Sequence, residues 1–161
     1  MSTVIYIIPS KNIFKFGFKI KDDNGKEIGS ISGKTFEIDR KLTVSTRCGT
    51  GYIESVVGFH TKVNVSVAGK MIKITRKPSL FNTRVDIVGI PWAIKGVCDN
   101  YNYKIFNGRN LVAKISDEGF LRNKICVEIK NAADELEVTM LVAAMIVASD
   151  AVNTGKAMSI I

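Results

Sequence analysis

The chain has 161 residues, and this length predicts one domain spanning residues 1–161. Its composition, 46% hydrophobic and 24% charged, is typical of a globular protein and excludes an intrinsically disordered one. A net charge of +8 favours acidic partners such as lipid headgroups, nucleic acid or other proteins. The three cysteines are widely spaced and no signal peptide is recognisable, so we expect free thiols in a cytoplasmic protein.

From about residue 4 to residue 130, apolar and polar residues alternate with a period of two, which is typical of β-strands with one buried face. The clearest example is residues 14–21 (FKFGFKIK), followed by a tight-turn sequence, Asp23-Asn24-Gly25. We expect further turns at residues 49–51 (GTG), 68–70 (AGK), near Gly89 and at Asn107-Gly108. Eleven or twelve short strands result, and a closed antiparallel barrel would leave them without exposed edges.

The alternation ends at Asn131, and residues 134–152 consist of strong helix formers. Acidic residues near the start of this segment favour a helix N-terminus there. Residues 138–149 carry no charge on any face, so the helix should be surrounded either by protein or by lipid. Twelve residues span only about 18 Å, against about 30 Å for a bilayer core, so we expect burial in protein and no transmembrane segment.

Several segments, in this order and spacing, resemble the LURP-one-related family of the tubby C-terminal-like superfamily, which also contains the phospholipid scramblases. The resemblance runs from about Val4 to Val152 and rests on residues 33–36 (GKTF), 92–96 (WAIKG), 103–105 (YKI), 111–116 (LVAKIS) and 148–152 (ASDAV). It implies a mainly β fold, a barrel of about twelve strands enclosing a hydrophobic C-terminal helix. It also implies a link to membranes, because tubby domains bind phosphoinositides and scramblases act at bilayers. The proline-rich segment, cysteine cluster and acidic calcium loop of scramblases are missing here.

The motifs that suggest catalysis or cofactors fail on their spacing. Residues 29–35 (GSISGKT) place three residues between two glycines where a P-loop needs four, so we do not expect Lys34 to bind nucleotide. His60 is the only histidine and lacks a nucleophile motif around it. Zinc would require Cys48, Cys98, Cys126 and His60 to converge without any paired spacing, and each cysteine is better interpreted as a small buried thiol. The sequence therefore predicts no enzyme, no catalytic residue, no metal and no cofactor.

Lysines recur on the polar faces of two predicted strands. We interpret them as a solvated barrel surface or, alternatively, as a basic face that binds anionic lipid or phosphate. The candidate residues for the second interpretation are Lys15 and Lys19 on one strand and Lys70, Lys73, Arg76 and Lys77 on another.

The preferred function is a non-enzymatic cytoplasmic domain that binds anionic lipid or phosphoinositide at the membrane periphery. One alternative is a module that uses the same charge to bind another protein or nucleic acid. Nucleic acid is disfavoured because recognition helices and the aromatic motifs of RNA-binding sheets are absent from the sequence. A second alternative is scramblase-like lipid transport.

Overall fold

A computed structural model describes residues 2–9, 15–34, 40–56, 61–77, 84–97, 101–118 and 124–160. Twelve strands form one antiparallel sheet, and they span Thr3–Pro9 (β1), Lys15–Asp22 (β2), Glu27–Lys34 (β3), Arg40–Thr46 (β4), Gly49–Val56 (β5), Thr61–Val67 (β6), Lys70–Lys77 (β7), Arg84–Val88 (β8), Trp92–Val97 (β9), Asn102–Asn107 (β10), Asn110–Glu118 (β11) and Lys124–Ile129 (β12). A 3₁₀ turn, Ala132–Asp134, leads into one long helix, α1, which spans Glu135–Ile160.

Consecutive strands pair with each other except β8 and β9, and β1 also pairs with β12, which joins the two ends of the strand sequence. The sheet order is β8-β7-β6-β5-β4-β3-β2-β1-β12-β11-β10-β9, so β8 and β9 are its two edges. The result is a nearly closed barrel, with the residue alternation placing isoleucines and valines on the inner face of the sheet.

The prediction of a fully closed barrel was wrong at one place, between β8 and β9. These strands are joined by residues 89–91, and they form no ladder with each other among the described residues. The connection contains Pro91, which has no backbone N–H to donate, and Gly89, whose φ of +107° turns the chain away from a regular hairpin. We refer to this opening between β8 and β9 as the seam.

The β4–β5 turn also differs from the prediction. Thr46 pairs with Gly49, so Arg47 and Cys48 form the turn and residues 49–51 already belong to β5. Gly51 is needed within the strand because a Cβ atom there would collide with the side chain of Met140 on α1.

Helix α1 is buried where the sequence lacks charge. Residues 138–148 are at most 2% exposed on every face of the helix, which confirms burial in protein for this stretch, and α1 contacts β4, β5 and β6. The helix does not end near Val152 as predicted but continues to Ile160. The glycine at position 155 does not interrupt it, since one glycine inside a helix costs only about 1 kcal/mol. No helix in the described part of the chain has the length and hydropathy required to cross a membrane.

Candidate functional site

Two of the predicted basic residues on β7, Lys70 and Lys73, are exposed. Lys73 is on the outer face, directly opposite Asn64 of β6 on one side and Val88 of β8 on the other. Lys70 has the same parity as the buried Ile72 and pairs with the buried Val67, so it is exposed at the end of the strand and not on the outer face. Lys73 therefore flanks the seam on the β8 side.

Arg76, another predicted basic candidate on β7, does not lie on the outer face. Arg76 is only 5% exposed, because side chains alternate between the two faces of a strand and Arg76 has the same parity as the buried Ile72 and Ile74. It interacts with other groups of the protein on the inner side.

The predicted residues on β2 do not join those on β7. Lys19 is exposed, but β2 and β7 are separated by four intervening strands, about 24 Å along the sheet. Lys15 and Lys77 lie in β2 and β7, and their side chains lie outside the described ones. The six candidates therefore do not form one patch.

A basic cluster that the sequence analysis missed lies on the other side of the seam. Lys104 of β10 is directly opposite Lys95 of β9 and also directly opposite Lys114 of β11, and all three side chains are exposed. Cross-strand neighbours have Cβ atoms about 4.5–5.5 Å apart, and like charges at this spacing destabilise a sheet. We call Lys95, Lys104 and Lys114 the lysine ladder.

The ladder has a different neighbour at each end. Glu128 of β12 lies opposite Lys114, so a carboxylate limits the ladder on that side. At the seam, the Nζ atom of Lys95 lies 5.2 Å from the centroid of the Phe106 ring, a cation–π distance. The positive charge is therefore concentrated on β9, β10 and β11, next to the seam.

Exposed apolar residues lie beside these lysines. Val88 is 65% exposed and Met71 is 55% exposed, and they belong to the adjacent strands β8 and β7. Tyr52, 60% exposed, lies on β5 and borders two shallow hollows of about 300 and 330 Å³ together with Ser66 and Met71. The outer surface near the seam thus combines lysines with uncovered apolar side chains.

The β4–β5 turn is fastened to the start of α1. Arg47 donates from Nε to Glu135 Oε2 at 3.0 Å and from Nη2 to Oε1 at 2.6 Å, and Nη2 also lies 3.2 Å from Thr3 Oγ1 of β1. The Cys48 thiol donates to Glu135 Oε2 at 2.9 Å. We call the group Thr3, Arg47, Cys48 and Glu135 the latch.

The latch changes the titration of its members. Burial alone would raise the pKa of Glu135, but hydrogen bonds from Arg47 and Cys48 and the charge of Arg47 lower it overall. The pKa of Cys48 is raised because its thiol donates to the Glu135 carboxylate. A thiol with a raised pKa is a poor nucleophile, so the latch has the character of a structural contact rather than of a reactive site.

Comparison with known proteins agrees with this architecture. The sequence profile of the family described as LURP-one-related matches residues 3–150. The chain belongs to the LURP-one-related family. A crystal structure of a protein from Arabidopsis thaliana resembles this LURP-one-related domain with a TM-score of 0.56 and 16% sequence identity, covering 94% of this chain and 92% of that one. At this identity the likeness concerns the fold alone, and no curated protein matches the sequence.

The remaining sequence candidates have different outcomes. Cys48 lies exposed in a turn rather than buried on a strand as predicted, whereas Cys126 is buried on β12. His60 and Cys98 lie outside the described residues of this LURP-one-related domain. Among the residues that are described, no three His, Cys, Asp or Glu side chains are grouped closely enough to hold a metal ion.

A local irregularity explains why the lysine ladder was missed. The predicted turn at Asn107-Gly108 would place Lys104 opposite Leu111. The turn lies instead at Gly108-Arg109, where Asn107 pairs with Asn110, and a regular ladder from there would place Lys104 opposite Ala113. A bulge between Ile105 and Phe106 shifts the register by one residue and brings Lys104 opposite Lys114. The signal in the sequence was the equal spacing of lysines on neighbouring predicted strands, but it becomes a cluster only once the bulge is known.

Proposed function

We propose that this LURP-one-related domain is a non-enzymatic module that binds reversibly to the surface of anionic membranes. The observation that carries the proposal is the lysine ladder, three lysines placed side by side at a cost in stability. An anionic surface would remove the mutual repulsion of Lys95, Lys104 and Lys114, and Lys73 would extend the contact across the seam.

The surroundings of the lysines favour lipid over nucleic acid. Binding to nucleic acid relies on phosphate contacts and on aromatic side chains that stack with bases. Here the large exposed side chains of β7 and β8, Met71 and Val88, are aliphatic and suit an acyl-chain boundary better than a base. The aromatic ring beside the ladder, Phe106, already contacts the ammonium group of Lys95. Scramblase-like transport is not supported by any of these contacts, and we restrict the proposal to binding.

We also infer that the sheet wraps around α1 in the tubby C-terminal-like manner. This is supported by the burial of residues 138–148 on every face of the helix and by the near closure of the twelve strands. With its most apolar element used as core, the domain would have only its outer strand surfaces available for a membrane.

Co-sedimentation with vesicles tests the proposal. We expect binding to vesicles that contain phosphatidylglycerol or phosphoinositide, little binding to pure phosphatidylcholine, and loss of binding as the Debye length falls from about 10 Å at 0.1 M salt to 3 Å at 1 M. Each lysine at an anionic surface is worth about a fivefold gain in affinity, so the triple change of Lys95, Lys104 and Lys114 to Gln should weaken binding by about a hundredfold.

A matched control variant distinguishes the effect of the lysine ladder from the effect of the total positive charge. The triple change of Lys19, Lys26 and Lys41 to Gln removes the same charge from exposed positions on or beside β2, β3 and β4. It should leave binding nearly unchanged. Equal losses in the two variants would show that only net charge matters, and no sedimentation of the original protein at low salt would refute the proposal.

A further inference from the structure

The connection between β8 and β9, together with the residue on either side of it, is a run of apolar residues. Residues 88–92 (VGIPW) contain no charged side chain. Val88, Gly89 and Pro91 are exposed, whereas Ile90 and Trp92 are partly buried against the core. We call this segment the seam loop. Single exposed apolar residues are ordinary, but Val88 and Pro91 are exposed close together, and neighbouring exposed apolar side chains favour a partner that covers them.

The conformation of the seam loop is constrained rather than free. Gly89 has a φ of +107°, and a Cβ atom at this position would collide with the backbone oxygen of Met71 on β7. The ring of Pro91 restricts its backbone φ angle, and the side chains of Ile90 and Trp92 pack against the hydrophobic core. The backbone that carries Val88 and Pro91 is therefore already restrained, which lowers the entropic cost of binding.

The seam loop lies between Lys73 and the lysine ladder. Val88 is directly opposite Lys73, and Lys95 follows Trp92 by three residues along β9. Apolar side chains flanked by lysines on both sides match a bilayer surface, where acyl chains lie just beneath anionic headgroups.

We propose that the seam loop inserts into the interfacial region of an anionic bilayer while Lys73 and the lysine ladder contact the headgroups on either side. This inference rests on the proposed membrane binding and adds the element that enters the lipid. A charge-only contact would hold the domain at the headgroups, whereas insertion of the seam loop would place Val88 and Pro91 among the acyl chains.

Trp92 is the only tryptophan of the chain and therefore a direct probe of insertion. The experiment uses phosphatidylcholine vesicles with or without phosphatidylglycerol, in which the acyl chains are brominated at a defined depth. With phosphatidylglycerol present we expect quenching of Trp92 fluorescence by shallow bromine positions and an emission shift to shorter wavelength. Quenching should vanish with the Gln variant of the lysine ladder.

The matched pair of variants is Val88→Asp and Tyr52→Asp. Both residues are exposed to a similar extent, 65% and 60%, and both changes add one negative charge, but Tyr52 lies on β5, three strands from β8. Val88→Asp should lower the vesicle partition coefficient at least about tenfold because a charge would enter the bilayer, and Tyr52→Asp should lower it by less than about threefold. Both variants should retain the original thermal unfolding, since neither side chain is buried.

The outcomes separate this inference from the proposed function. If vesicles bind the protein in a lysine-dependent manner without quenching, and the two Asp variants behave alike, insertion is refuted and surface binding stands. If Trp92 is quenched equally in neutral vesicles and the ladder variant has no effect, insertion stands and the anionic preference is refuted. If no vesicle binds the protein at low salt, both the insertion and the proposed membrane binding are refuted. A protein would then be the expected partner that covers the seam loop.

Discussion

The latch allows a quantitative prediction about how the β4–β5 turn stabilises α1. Glu135 is 3% exposed and accepts hydrogen bonds from Arg47 and Cys48, so replacing Arg47 with Met would leave a buried carboxylate without its cationic partner. Breaking a fully buried ion pair costs about 3–5 kcal/mol. The Arg47 side chain is 42% exposed, so solvent screens part of the interaction, and we expect a loss of about 1.5–3 kcal/mol at pH 7.

The loss should depend on pH in a defined direction. In the original protein the folded-state pKa of Glu135 is lowered, so its contribution to stability is fully present above the ordinary glutamate pKa and is lost as the pH falls through the folded value. Without Arg47, burial remains and raises the pKa of Glu135. Protonation at acidic pH then relieves the unpaired charge in the variant. The difference in stability between the two proteins should therefore shrink as the pH falls from the raised pKa of Glu135 in the variant, above the ordinary glutamate value, towards its lowered pKa in the original protein.

Urea unfolding of the original protein and the variant at pH 7 and pH 4 measures this difference. Arg109→Met is the control, because it removes the same charge from an exposed position between β10 and β11 and should change stability by less than about 0.5 kcal/mol. Adding Glu135→Gln to Arg47→Met should recover part of the loss, since the buried charge is then absent. A loss that is the same at both pH values, or no larger than that of the control, would refute this account of the latch.

Three further predictions concern the core, the thiol and the rejected nucleotide motif. Ala144→Asp should yield unfolded or insoluble protein, because Ala144 is fully buried and an unpaired charge there costs several kcal/mol, comparable to the stability of a domain. Circular dichroism and gel filtration would detect the loss of folding. A soluble variant that melts cooperatively would contradict the burial of the helix. Cys48 should react with iodoacetamide more slowly than a free cysteine despite its exposure, and Glu135→Gln should accelerate the reaction. Mass spectrometry measures the rate in the original protein and in the variant. Equal rates in the two proteins would contradict the raised pKa of the Cys48 thiol. Millimolar ATP or GTP with magnesium should leave the melting temperature unchanged, whereas a ligand present at a hundredfold its Kd would stabilise the folded protein by about 2.7 kcal/mol. An increase in melting temperature that Lys34→Ala abolishes would support a P-loop at residues 29–35.

The strands were predictable because their cause is local. Alternation along β2 places Ile20 in the core and Lys19 in solvent, and this rule needs no knowledge of the partner strands. The same applies to the buried part of α1, where the absence of charge on every face requires surroundings of protein or lipid, and the short length of the uncharged stretch favours protein. Turn positions were less predictable: glycines suggested a turn at residues 49–51, but the structure needs Gly51 for close contact with Met140.

The site was less predictable because it depends on register between strands. A shift of one residue decides whether a side chain faces the core or solvent, as the burial of Arg76 shows. The lysine ladder likewise exists only because the bulge at Ile105 moves Lys114 opposite Lys104. Bulges and the seam arise from contacts across the sheet, and a single sequence carries little information about them.

Two departures from ordinary sheet design occur next to each other, and their proximity is the strongest argument for a function. Like charges directly opposite on neighbouring strands reduce stability, and exposed apolar side chains close together leave apolar surface in water, yet the lysine ladder begins on β9 and the seam loop ends there. Elsewhere in the described part of the chain, the inner faces of the strands are mostly apolar, with Arg76 and Ser55 as buried exceptions. Proteins that otherwise satisfy local rules tend to break them where a partner compensates. An anionic bilayer compensates both departures at once, since it neutralises the lysines and covers Val88, whereas a dissolved small anion would compensate only the first.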